Sequence, residues 1–138
     1  MAAVTTPIRV DVWSDVVCPW CFIGKRRFER ALAELDGEVT VDVTFHAFQL
    51  DPTASPGVSQ PVTEAYAKKF GGPERAKAMI DRVTAIAAEE GIEFRMDRAL
   101  RANTLLSHRL VWLADQPASP VAQAVMKERL MRAYFHDG

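Results

Sequence analysis

Two cysteines two residues apart, Cys18 and Cys21, stand where a strand-like run gives way to a helix-like one, and this junction constrains the chain more than any other feature. Upstream, Ile8–Arg9–Val10–Asp11–Val12–Trp13 alternates apolar and polar residues and is rich in β-branched side chains, the pattern of a strand. Downstream, Phe28, Leu32 and Leu35 recur at helical spacing, and Gly37 stands where a C-terminal cap belongs. Pro19 suits the first helical turn, where a missing N–H costs nothing. Cys18 therefore falls at or beside the N-cap. The unpaired first-turn N–H groups and the positive end of the helix dipole favour a thiolate there. In Cys-x-x-Cys motifs at helix N-termini the thiol pKa falls from about 8.5 to roughly 3.5–7.5. Cys21 lies on the same helix face, one turn deeper. One sulfur is thus placed to attack and the other to close the ring. A low-pKa thiol is also a good leaving group, which makes the disulfide form oxidising. Pro19 and Trp20, between the cysteines, tune that balance.

Other uses of the pair fit less well. A structural disulfide closing so short a loop removes little unfolded-chain entropy. A zinc site needs two more ligands, and His46, His108 and His136 stand at no finger-like spacing. Two unreactive thiols in a buried turn are the remaining alternative. The redox reading needs no metal and no organic cofactor.

A chain of 138 residues, 49% hydrophobic and 25% charged, suits one soluble globular domain. A net charge of −1 makes no electrostatic case for nucleic acid or an anionic membrane. No apolar run approaches the roughly 18 residues of a membrane span. Residues 1–7 lack the basic and apolar regions of a secretory signal, so a cytoplasmic location is expected. Two cysteines in a reducing compartment are more often catalytic or metal-binding than structural.

Val39-Thr-Val-Asp-Val-Thr-Phe-His-Ala-Phe48 reads as a second strand, with Val39, Val41, Val43 and Phe45 on one face. Strand, helix and strand make a βαβ unit with parallel strands, and the cysteines sit at the carboxyl end where open sheets bind ligands. Asp51 to Gln60 is a loop. Beyond it the pattern predicts helices. One runs from Pro61 to about Phe70 and closes at Gly71–Gly72; a second opens at Pro73, with Ala76, Met79, Ile80, Val83, Ile86 and Ala87 on one face. Ile92 to Arg95 is an extended link. Asn103 or Thr104 caps a third helix through Leu106, Leu110 and Leu113, and Ser119–Pro120 opens a fourth with Val121, Val125, Leu130 and Tyr134 as its apolar stripe.

Asp15-Val-Val-Cys-Pro-Trp-Cys-Phe-Ile-Gly-Lys25 resembles the active-site segment of the FrnE-like branch of the DsbA family, thioredoxin-fold thiol–disulfide oxidoreductases. Phe48-Gln-Leu-Asp-Pro52, Asn103-Thr-Leu-Leu-Ser-His-Arg-Leu110 and Ala133-Tyr-Phe135 agree with it, so the similarity runs from about residue 8 to the end. The resemblance implies an α/β, thioredoxin-like fold: a βαβ half in residues 1–58 carrying the Cys-Pro-Trp-Cys site, then an inserted helical domain of about four helices in residues 59–138. The family returns to the sheet with further strands and a cis-proline, and this chain shows no strand pattern after the second strand. Truncation, or completion of the open sheet edge by a second copy in a homodimer, would each account for that. The implied activity is exchange with a protein or small-molecule thiol or disulfide. A kappa-class glutathione transferase or 2-hydroxychromene-2-carboxylate isomerase shares the architecture but generally carries serine in place of Cys18. A non-catalytic, chaperone-like peptide-binding module is the alternative from another class.

The resemblance places Asn103 and His108 by the substrate groove, against capping and packing as their plainer roles. Trp20 is expected to be partly exposed and to touch a peptide substrate, whereas Trp13 and Trp112 are expected in the core. His46 is expected to be a half-buried, hydrogen-bonded histidine, and Lys25, Arg26 and Arg27 a solvated helix face. Met79, Met126 and Met131 fit helix interiors. Asp11 or Asp15 is the candidate acid to take a proton from the inner thiol.

Overall fold

In the computed structural model, which describes residues 6–138, β1 (Ile8–Ser14) and β2 (Val41–Ala47) run parallel. Their register sets Ile8 opposite Val41 and Ser14 opposite Ala47. Residues 1–5, most of the segment read for a secretory signal, lie outside the described residues. α1 (Pro19–Glu34) makes the crossover, so the βαβ unit forms where the alternation and the proline place it. β2 begins at Val41 and not at Val39, because the N–H groups of Glu38 and Val39 are bound to the Leu35 carbonyl at the end of α1.

Four helices follow: α2 (Val62–Phe70), α3 (Pro73–Glu89), α4 (Leu105–Ala114) and α5 (Gln123–Arg132), the last running into a π-helical turn over Ala133–Asp137. α2 stops at Gly71, whose φ of 84° is the left-handed conformation that glycine adopts without strain. No described helix is long and apolar enough to cross a membrane. One element departs from the expectation that no strand follows β2. β3 (Gln60–Pro61) pairs antiparallel with β4 (Leu100–Arg101). Two residues are too few to show alternation, and proline argues against a strand, so the pattern was silent there.

The core draws on both halves of the chain. Phe22 and Ile23 of α1 cluster with Val83 and Ala87 of α3, Phe94 of the link, Met96 just after it, and Met131 of α5. Phe22, Phe94 and Phe135 form an aromatic cluster with centroids 4.4 to 6.0 Å apart. Burying each such side chain contributes about 1.5–3 kcal/mol.

Several faces are turned relative to expectation. Trp13 and Trp112 are 63% and 61% exposed, not core. Trp13 alternates with Arg9 and Asp11 on the solvent face of β1 and stacks on His46 of β2, centroids 4.6 Å apart. α4 buries Thr104, His108, Val111 and Ala114 at i, i+4, i+7 and i+10, leaving Leu106, Leu110, Trp112 and Leu113 outward. α5 buries Gln123, Lys127 and Met131, so Val125 points outward. Met79 is exposed on α3. Lys25 is buried and pairs with Glu29 and Glu128, while Arg26 shares Glu128 and Arg27 joins Arg30 on Glu90. The basic run on α1 is thus an ion-paired seam against α5 and the end of α3.

Gln123 explains why a polar side chain faces inward. Its Oε1 accepts the Phe45 N–H at 2.7 Å, and its Nε2 donates to the Phe45 carbonyl at 2.9 Å. The side-chain amide therefore completes the outer ladder of β2 as a neighbouring strand would. Replacing it leaves two buried backbone groups unpaired, each worth about 1–3 kcal/mol. Gln123→Ala is expected to lower stability by about 2–4 kcal/mol in urea unfolding, whereas Val125→Ala stays within about 0.5 kcal/mol. Equal effects at the two positions would contradict the role assigned to the amide.

Candidate active site

Cys18 is the N-cap of α1, in extended conformation at φ −91° and ψ 118°, with Pro19 at the first helical position. The Cys21 N–H reaches the Cys18 carbonyl at 3.1 Å and the Cys18 sulfur at 3.4 Å. Both cysteines are free and half-buried. The two thiols are driven apart in acidity. The Cys21 thiol donates to Cys18, burial opposes, and the N–H groups of Cys21 and Trp20 add to the pull, bringing Cys18 down to about 6. Cys21 moves far upward, because it holds its proton toward Cys18, is buried, and lies beside the Cys18 charge. At neutral pH the arrangement carries one thiolate and one thiol.

Asp15, three residues before Cys18, is almost wholly buried. Its Oδ1 accepts the Val16 N–H at 2.8 Å and faces His108 Nε2 at 3.0 Å, and its Oδ2 accepts the Leu50 N–H at 2.9 Å. Burial pushes its pKa up, but the bonds from His108, Leu50, Thr104 and Val16 together outweigh burial and hold it below the usual carboxylate value. His108 Nε2 is the donor to that carboxylate, and Nδ1 is buried without a hydrogen-bond partner. Of the two acids considered for the inner thiol, Asp15 is the one at the site. Asp11 is committed to His46, at 2.7 Å, and to Arg9 on the outer face of β1.

Asn103 and His108 are the residues expected by the substrate groove. Neither lines the cavity beside Cys18, whose wall at that point is Ala102 and Thr104. Asn103 donates to the Ala54 carbonyl at 2.7 Å and accepts the Leu105 N–H at 2.9 Å, tying the loop after β2 to the start of α4. His108 is buried behind Asp15. Cys18, Pro19 and Trp20 line the cavity together, and Trp20 is 52% exposed. The cavity, of about 1100 Å³, runs from these residues to α2 and α3 and has Tyr66 and Tyr134 in its wall. Burial, then the Cys18 charge, raises Tyr66 to about 12.

Sequence reasoning missed Lys127. It is fully buried, donates to the Ser14 carbonyl at 3.1 Å and lies over the Phe45 ring. Burial pulls its pKa down to about 8, against the charges of Cys21, Asp15 and Cys18. A lone lysine on a polar helix carries no signal of this; only its i, i+4 spacing between Gln123 and Met131 hints at the buried face. Among the described residues no three His, Cys, Asp or Glu side chains gather into a metal-holding set.

Because the nearby Asp15 charge opposes ionisation of Cys18, Asp15→Asn is expected to move the Cys18 midpoint further down, on the order of half a unit to one unit. Rates of iodoacetamide alkylation against pH read this directly. An upward shift would mean that Asp15 acts by positioning the helix start and not through its charge.

A model of the family described as DSBA-like thioredoxin domain matches residues 9–138. The chain is 36% identical to the probable DsbA oxidoreductase SCO1869 from Streptomyces coelicolor; the match to that crystal structure has a TM-score of 0.83 and covers 93% of this chain and 54% of that one. It is also 43% identical, over 49 residues, to the uncharacterized protein YwbO of Bacillus subtilis, a match covering 36% of this chain and 22% of that protein. The chain thus spans about half the length of the solved relative and about a fifth of the curated one.

Proposed function

Because the chain belongs to the family of DSBA-like thioredoxin domains, we propose that it is a thiol–disulfide oxidoreductase of the FrnE-like branch, acting through Cys18 and Cys21. The observation that carries this reading is Cys18 at the N-cap of α1 with the Cys21 N–H on its sulfur and Cys21 one turn on, a setting that lowers Cys18 and raises Cys21. In the oxidised state a substrate thiolate attacks Cys18 Sγ. The Cys18–Cys21 bond breaks, and Cys21 leaves as a thiolate and takes a proton. A second substrate thiolate then attacks the substrate sulfur of the mixed disulfide and expels Cys18 as a thiolate. Two electrons pass from substrate to protein, and the easy departure of Cys18 favours this direction. Run in reverse, the Cys18 thiolate opens a substrate disulfide and Cys21 resolves it.

Lys127 supports the second role. A buried ammonium that interacts with Cys21 makes the Cys21 thiolate less costly when it must attack. A cytoplasmic setting suits a chain whose two cysteines are both given to this pair.

The sign of the pH dependence follows from Cys18. A folded-state pKa lowered from 9.0 to about 6 stabilises the reduced protein above the unfolded value, and that stability is lost as pH falls through 6. The oxidised protein lacks this ionisation. The gap in melting temperature between reduced and oxidised forms is therefore expected to shift in favour of the reduced form from pH 6 to pH 9, and the reduced wild-type protein should gain stability over that range relative to Cys18→Ser, which lacks the ionising thiol.

Cys21→Ser is expected to trap a mixed disulfide on Cys18, visible by mass, and Cys18→Ser to abolish exchange. Turnover that survives Cys18→Ser would overturn the proposal. Lys127→Met should leave first attack in place and slow closure of the Cys18–Cys21 bond by about threefold for each unit that Cys21 rises, because the tenfold loss of thiolate is partly offset by its greater nucleophilicity, with Lys127→Arg restoring the rate.

A further inference from the structure

Resting on the thiol–disulfide reading above, we propose that the groove beside Cys18 selects a cysteine-bearing peptide segment rich in acidic residues. Although the chain as a whole carries a net charge of −1, the charged side chains along this cavity are predominantly cationic. Lys68 and Lys69 come from α2, Arg75 and Arg82 from α3, and Arg101 from β4. The two acids in the wall are already committed. Asp15 is buried against His108, and Asp51 is paired with Arg101. Lys68, Lys69, Arg75 and Arg82 form no ion pair among the described residues and are exposed.

Helix stability does not account for all of these charges. Lys68 and Lys69 stand in the last turn of α2, where cations suit the dipole. Arg75 stands in the first turn of α3, where a cation is unfavourable. It shares one helix face with Met79, Arg82 and Val83, at i+4, i+7 and i+8, so α3 presents a charged and apolar stripe to the cavity. Such a stripe fits a partner with both carboxylates and carbon surface.

The spread of the charges favours a peptide over a small anion. Arg75 and Arg82 are seven residues apart, about 10 Å along the helix. An extended chain advances about 3.3 Å per residue, so three residues span that distance. Cys18, Pro19 and Trp20 line the same cavity as the cations, so a peptide that brings its cysteine to Cys18 runs its flanking residues along a surface that carries them.

The test uses oxidised protein and three synthetic dithiol peptides that differ only in whether the residues around their two cysteines are glutamate, glutamine or lysine. Each reaction turns protein disulfide and peptide dithiol into protein dithiol and peptide disulfide. Rates are normalised to each peptide's reaction with hydroxyethyl disulfide, which removes differences in thiol acidity. The glutamate peptide is expected to react about tenfold faster than the glutamine peptide at low salt, and the lysine peptide slower than both, with the differences shrinking in about 0.5 M salt. Neutralising the α2 and α3 cations together, with Lys68→Gln, Lys69→Gln, Arg75→Gln and Arg82→Gln, should collapse the preference. Equal rates for the three peptides would overturn the inference. So would reduced glutathione, two molecules per protein disulfide, matching the glutamate peptide, because the cations would then serve a small anionic thiol. Dithiothreitol separates the two readings. If it cannot reduce a Cys18–Cys21 disulfide the redox reading itself fails, whereas a normal reaction with no charge preference sinks this inference alone.

Discussion

The Cys18 sulfur meets the N–H of Cys21 and the start of a helix whose first residue is proline, and the rest of the site is built to keep that meeting in place. A thiolate there is stabilised by fixed N–H groups and by a second thiol whose proton has nowhere better to go. Its position at the carboxyl end of β1 follows from the crossover that a parallel pair requires. Because Cys18 is both cap and nucleophile, a change that moves the start of α1 moves the chemistry with it.

Behind that first turn the protein buries polar groups and pairs nearly all of them. Asp15 ties the Cys18 segment to the loop after β2 through Leu50, and to α4 through His108. Gln123 closes the outer edge of β2, and Lys127 holds the Ser14 carbonyl at the end of β1. These contacts explain how helices far along the chain hold a site near its start. They also place a carboxylate and an ammonium where each sulfur senses them. Breaking one member of such a set leaves a buried charge or dipole unpaired, so the set fixes geometry more than it adds stability.

The parts legible in the sequence were those written in local pattern. The β1 alternation, Pro19 after Cys18, Gly71 after α2 and Pro73 at the start of α3 each mark an element by its own chemistry. The helix faces of the later half were less legible, because tertiary contacts decided them. Leu106, Leu110 and Leu113 read as a buried stripe, yet α4 packs through His108, Val111 and Ala114, where a smaller surface approaches β2 and Asp15. Val125 read as core, yet the unpaired backbone of Phe45 draws Gln123 inward and turns α5 accordingly. Lys25 read as solvated and Lys127 drew no reading, and each is buried on a partner distant in sequence. At the site the cysteines and the choice of Asp15 or Asp11 were within reach of sequence. The pairing of Asp15 with a histidine ninety-three positions on was not.

The most direct measurement is thiolate absorbance of the reduced wild-type protein against pH, with Cys21→Ser beside it. One thiolate appearing with a midpoint near 6, while the second sulfur stays protonated through pH 9, is the result this account predicts. In Cys21→Ser the midpoint should remain below 8.5, held by the helix start alone. Two thiols titrating together near 8.5–9 would contradict it, and would leave the helix N-terminus without influence on the chemistry.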